Sequence, residues 1–137
     1  MTDDVEAAGL QLKPAVVLVD VRPERRGPMI SVVQAAIGEG IVAPAGNVAE
    51  ALGAIERYRA YAAVVEVDAD GTVIPALRAA HPSLVIVVCT FRGDTAARRQ
   101  AHEAGADAYL VKPVSTREIR TALEAGRRAP LAETAVR

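Results

Sequence analysis

Three apolar runs of this chain end in residues able to do chemistry. Ala15-Val16-Val17-Leu18-Val19 runs into Asp20, Leu84-Val85-Ile86-Val87-Val88-Cys89 into Thr90, and Tyr109-Leu110-Val111 into Lys112-Pro113. A carboxylate that binds cations, a hydroxyl that donates and accepts, and an ammonium that pairs with anions form a set suited to handling charged oxygens. In a parallel sheet the carboxyl ends of strands converge on one crevice, so three groups distant in sequence would meet there. Singly, Asp20 reads as a turn or cap residue and Thr90 as a strand-end hydroxyl bonded to backbone, and Tyr109, at the start of the last run, reads as edge packing with its hydroxyl in water. The reading rests on their coincidence at three strand ends.

The elements that must position them follow from the pattern. Apolar runs of strand length alternate with helical periods, the signature of βαβ units. The first strand is Ala15 to Asp20, followed by a polar elbow from Val21 to Gly27. Met29, Val32, Val33, Ala36 and Ile37 then recur at steps of three and four on one helical face, ending at Gly38 or Gly40. A short edge strand spans Ile41 to Ala43, interrupted by Pro44. Asn47 and Glu50 make a capping box for a helix that buries Val48, Ala51, Leu52 and Ile55. The third strand is Ala62 to Val67, closed by the turn Asp68-Ala69-Asp70-Gly71, and a brief helix near Ile74 to Ala80 stops before Pro82. Leu84 to Cys89 is the fourth strand; Asp94 caps a helix with Ala97, Ala101 and Ala104 inward, ending at Gly105. Ala108 to Val111 is the fifth strand, and Ser115 with Glu118 opens a last helix that buries Ile119, Ala122 and Leu123 and ends before Pro130. Strict alternation with right-handed crossovers makes this a doubly wound three-layer sandwich; the class expected is flavodoxin-like α/β, in which a five-stranded parallel sheet takes the order 2-1-3-4-5. The expected organisation is a flexible segment 1–13, a single domain 14–129 and a flexible tail 130–137.

Composition removes several function classes. The chain has 137 residues, enough for one domain and not for two. Sixteen basic against seventeen acidic residues leave no global field to hold a polyanion, so nucleic-acid binding by bulk charge is not expected. With 3% aromatics there is no stacking platform for bases either. The single Cys89 sits in an apolar run, where it reads as a structural thiol, and no disulfide framework can form. No stretch reaches the ~18 apolar residues that cross a bilayer, so a cytoplasmic protein without membrane contact is expected. A hydrolase would need a nucleophile elbow and a histidine base, and neither is present; His81 and His102 read as surface histidines. A nucleotide or flavin module would need a glycine-rich phosphate loop after the first strand, where Val21-Arg22-Pro23-Glu24 stands instead.

The segment Val17 to Arg26, together with Val87-Val88-Cys89-Thr90 and Ala104-Gly105-Ala106-Asp107-Ala108-Tyr109-Leu110-Val111-Lys112-Pro113-Val114, resembles the receiver domain of response regulators, over roughly Ala15 to Arg128. The interval of twenty-two residues from Thr90 to Lys112 is part of that resemblance. It implies phosphoryl transfer to an aspartate: acids after the first strand and at the end of the third bind hydrated Mg²⁺, a lysine pairs with the acceptor and then with the phosphoryl group, and a hydroxyl turns in to bond it. An aromatic on the fifth strand follows the hydroxyl and remodels the surface of the last two helices and the strand between them. Carried over, Asp20 matches a metal-binding acid, Thr90 the switch hydroxyl, Tyr109 the switch aromatic, Lys112 the lysine and Pro113 the cis proline.

Two positions depart from that pattern. The second acid of the first strand is Val21, and the acceptor position falls at Val67, flanked by Glu66 and Asp68. Residues 66 and 68 share one strand face and 67 the other, so register decides which enters the crevice. The expected function is an atypical two-component receiver, not an enzyme, with a degenerate phosphorylation pocket and no Mg²⁺ or only a weak Mg²⁺ site at Asp20 and Asp68. If Glu66 points inward, it would pair permanently with Lys112. Such a module works by protein contact through the face of the last two helices, which carries Arg92, Arg98, Arg99, Arg117, Arg120, Arg127 and Arg128. Its partner would be a histidine kinase or an output protein, with self-association through the last helices. The alternatives are an ordinary phosphoaccepting receiver using Asp68 with Mg²⁺, and a flavodoxin-like small-molecule module.

Overall fold

The computed structural model describes residues 13–66 and 71–136. Strand alternation divides its core. Even-numbered Val16, Leu18, Ala62 and Val64 with odd-numbered Val85, Val87 and Cys89 face one helical layer. Val17, Val19, Ala63, Val65, Ile86 and Val88 face the other. Strands buried on both sides read as continuous Ala/Val/Ile runs because a parallel sheet has no wet face.

The strands are β1 (Ala15–Val19), β2 (Ile41–Ala45), β3 (Ala62–Glu66), β4 (Val85–Thr90) and β5 (Ala108–Val111), all parallel, in the order β2-β1-β3-β4-β5. The helices are α1 (Pro23–Ile37), α2 (Val48–Tyr58), α3 (Val73–Ala80), α4 (Thr95–Ala104) and α5 (Thr116–Val136). α1 and α5 cover one face through Met29, Val33, Ile119 and Leu123; α2, α3 and α4 cover the other through Ala51, Ile55, Leu77 and Ala101. α5 approaches β4 closely at Gly126, where an added Cβ would lie 2.5 Å from a Val85 methyl carbon. Arg120 fastens α5 to the end of α1 by donating to the carbonyls of Ala36 and Ala35 at 3.2 and 3.3 Å.

Capping follows the sequence signals. Asn47 Oδ1 accepts from Glu50 N at 2.8 Å, Asp94 Oδ2 from Ala97 N at 3.1 Å, and Ser115 with Glu118 forms a reciprocal box at 3.1 and 2.9 Å. Several boundaries move. The expected elbow is already helix from Pro23, because proline is well suited to a first helical position. β2 passes through Pro44 to Ala45, which an edge strand permits because one side of it needs no donor. β1 ends at Val19 and β4 extends to Thr90. The backbone of α5 runs past Pro130 to Val136, helix where a tail was expected. A proline removes only one helical donor, and the flanking Ala, Glu and Arg residues favour helix. Residues 1–12 of the expected N-terminal segment lie outside the described residues, as do Val67, Asp68, Ala69 and Asp70.

Candidate functional site

Register brings the acids together. β1 and β3 pair with Val19 beside Val65, so the next step sets Asp20 beside Glu66, on the face shared with Leu18 and Val64. Asp20 is held there by its backbone: its N–H donates to Ala45 O at 2.9 Å, its carbonyl accepts Arg26 Nε at 3.0 Å, and its Oδ1 accepts Arg22 N at 2.9 Å. Gly46 leaves the room that the Arg26 guanidinium occupies. Lys112 enters from the end of β5, next to the cis Lys112-Pro113 bond, and its Nζ pairs with Glu66 Oε2. The pair is enclosed, with side chains 10% and 6% exposed, and Asp20 is 2% exposed.

One oxygen of each acid, Asp20 Oδ2 and Glu66 Oε1, is buried and has no donor among the described residues. Burial raises the Glu66 pKa above its ordinary value; the Lys112 ammonium opposes this, and the Asp20 carboxyl, within hydrogen-bonding reach, adds to it. Two carboxyls against one ammonium leave an excess of acceptors, the condition that favours a proton or a cation between them. For Mg²⁺ the described residues supply these two oxygens, and among them no third Asp, Glu, His or Cys joins to complete a metal-binding group. A cation that keeps octahedral geometry and several waters finds a minimal, enclosed donor set here, with one carboxylate oxygen already engaged by Lys112.

Thr90 does not join Asp20 and Lys112 as expected: side-chain alternation along β4 puts it with Val88 and Tyr109 in a second cluster on the other face at the same end of the sheet. Thr90 is 6% exposed, and its Oγ1 accepts from Arg92 N at 3.2 Å. Tyr109 is 8% exposed and donates its hydroxyl to Arg92 O at 2.6 Å, so its hydroxyl is not in water as ordinary edge packing would have it. Arg98 lies over the Tyr109 ring, 4.9 Å from its centroid, and donates to the Tyr109 carbonyl at 3.3 Å. Burial raises the pKa of the Tyr109 phenol.

Phe91 and Arg92 link the clusters, and Phe91 was not singled out in the sequence. Its ring, 66% exposed, lies 5.0 Å from Lys112 Nζ and covers the ammonium, while both backbone polar groups of Arg92 engage the Thr90–Tyr109 side. The available signal was position: the chain's one phenylalanine directly follows the strand-end hydroxyl. Val21, in the place of the second acid, is 53% exposed. Cys89, between the clusters, is buried, and that burial pushes its thiol up to about 12, in keeping with a structural role. His102 is exposed, as expected of a surface histidine, with its Nδ1 3.1 Å from Ala106 O; His81 is half-buried, and its Nε2 is buried without a partner among the described residues. Among the described residues, no helix is long and apolar enough to cross a membrane.

No protein-family model matches the chain, and no curated protein matches its sequence. Solved structures do match. A CheY-like response-regulator receiver domain from Methanospirillum hungatei JF-1 superposes with a TM-score of 0.73 at 18% identity, covering 88% of this chain and 98% of its own. A response regulator from Thermotoga maritima gives 0.73 at 21%, covering 85% and 99%. The chemotaxis protein CheY4 of Vibrio cholerae gives 0.70 at 21%, covering 82% and 98%. At such identities the likeness concerns the backbone, and with five parallel strands in the order β2-β1-β3-β4-β5 between two helical layers, the chain has the CheY-like fold of response-regulator receiver domains.

Proposed function

We propose that this chain is a two-component signalling module of atypical kind, in which a fixed Glu66–Lys112 ion pair stands where an ordinary receiver forms its metal-dependent aspartyl phosphate. The observation that carries this reading is the enclosed pair itself, since Lys112 already has an anionic partner and its ammonium lies beneath the Phe91 ring. Tyr109 is buried and tied to Arg92, the inward arrangement that the receiver resemblance associates with an engaged switch. The module then acts without catalysis, by contact of the α4–β5–α5 face with a signalling protein, either a histidine kinase or an output protein. Self-association through the same helices and a cytoplasmic location belong to the same reading. Any Mg²⁺ bound at Asp20 and Glu66, with Asp68 as a further candidate, is held weakly.

Incubation with acetyl phosphate and Mg²⁺ followed by intact mass spectrometry tests this. The expected result is no labile phosphoryl adduct. An adduct that maps to Asp68 overturns the reading in favour of a phosphoaccepting receiver. In parallel, Glu66→Ala should shift the NMR signals of the Tyr109 ring by releasing Lys112; an unchanged Tyr109 environment would count against a pair that holds the switch.

A further inference from the structure

Across the sheet from the acid cluster, a cavity of about 150 Å³ opens between α3 and α4. Its walls are Ile74, Val88, Thr90, Ala97, Ala101 and Tyr109, and the three exposed residues in its lining, Gly71, Arg92 and Gln100, mark its mouth. The void follows from the sequence: α4 turns methyl groups inward at positions 97, 101 and 104, and α3 is only eight residues long. Tyr109, the nearest ring able to fill it, is held as a wall by its bond to Arg92 O and by Arg98 stacked on it. The pocket is open at its mouth and apolar over most of its lining, and its volume leaves room for a benzene-sized body. The mouth adds a charge, because Arg92 meets Asp94 only at 3.4 to 3.5 Å with side chains 63% and 48% exposed, a loose pairing that exchanges readily. The Asp94 carboxylate is already occupied in capping α4.

We infer that this cavity binds a small monocarboxylic acid with a benzene-sized apolar body, the body lying against Ile74, Ala97 and Ala101 and the carboxylate at Arg92. Apolar enclosure supplies affinity and one placed charge supplies orientation. Because Tyr109 is a wall and Arg92 also joins Thr90 to Tyr109, an occupant favours one arrangement of the α4–β5 surface, giving the module an input that needs neither phosphate nor metal. That consequence rests on the signalling reading above; the binding does not.

The test is a titration of the ¹⁵N-labelled full chain with benzoate, benzyl alcohol and acetate, followed by amide NMR. Benzoate should give saturable shifts at Ala97, Gln100, Ala101 and Tyr109, with acetate at least about tenfold weaker. Arg92→Gln should bring benzoate down to the affinity of benzyl alcohol. Ala101→Leu, which fills the space, should weaken benzoate about tenfold or more while amide positions elsewhere stay in place; if that variant does not fold, Ala97→Val narrows the same cavity and should weaken binding in the same direction. Absence of saturation up to tens of millimolar benzoate, equal binding of benzoate and acetate, or indifference to the filling substitution would each overturn the inference. The phosphodonor experiment reads a different site, so either idea can fail while the other stands.

Discussion

Two ion pairs at different places in this molecule are built on opposite principles. Arg78, near the end of α3, donates to Gly105 O at 3.1 and 2.7 Å, to Pro82 O at 2.8 Å and to Leu84 O at 2.7 Å, and pairs with Asp107 at 2.9 Å. Asp107 Oδ2 in turn accepts Ile86 N at 2.8 Å. The cluster is partly open to solvent, at 25% and 39% exposure, and it ties the α3–β4 and α4–β5 connections together. Glu66 and Lys112 are more enclosed and far less satisfied, with an unpartnered oxygen on Glu66 and another on the neighbouring Asp20. A saturated polar cluster stabilises a fold, whereas a buried and under-satisfied one costs stability and persists where function requires it. The contrast supports the proposal that the carboxyl end of β1, β3 and β5 is the functional end.

Removing the cation from the enclosed cluster should have the largest effect. Lys112→Met leaves two buried carboxyls facing each other and should destabilise the fold by about 3 kcal/mol at neutral pH, read as a lower midpoint in urea. Glu66→Gln should stay within about 1 kcal/mol of the parent, because it removes the acid-acid conflict together with the pair. A Lys112→Met that unfolds no more easily than Glu66→Gln would erase the distinction between the two regions.

Arg78→Ala should rank next, at about 2 kcal/mol, because it strands several carbonyls that water reaches only in part. Its effect should be insensitive to pH between 6 and 8. A much smaller loss would show that the staple is decorative.

The acid cluster should also show itself in pH dependence. The folded pKa of Glu66 lies above its ordinary 4.5, so the folded state binds the proton more tightly than the unfolded chain. Its contribution is fully present below 4.5 and is lost as pH rises through the raised folded value. Stability of the parent relative to Glu66→Gln should therefore fall with rising pH over that window, measured by thermal unfolding in a pH series. A difference that grows with pH would refute the assigned direction.

The smallest expected change lies at the start of α4. The carboxyl pKa of Asp94 is lowered chiefly by the Ala97 N–H that it accepts. Asp94→Ala should speed amide exchange in the first turn of α4 without changing the Glu66 titration.

How legible the molecule was differs by level. Apolar runs of strand length, three capping signals and glycine stops were sufficient for the element order, because period and punctuation are local properties; the sheet order 2-1-3-4-5 came with the flavodoxin-like class and not from any local period. Asp20, Thr90 and Lys112 could be picked out for the same reason, each closing an apolar run. Phe91 and Arg92 could not, since their roles arise from a ring above an amine and from a backbone carbonyl below a phenol.

The amino-acid order by itself determined the architecture, the strand ends that carry polar groups, and the alanines that leave α4 thin. It left open which of residues 66, 67 and 68 would enter the crevice, because side chains alternate and one step of slip exchanges the faces. Only the packed sheet decided that point for Glu66: with Val19 beside Val65, the acid following β1 and the acid closing β3 become neighbours on one face, and Lys112 reaches them from β5.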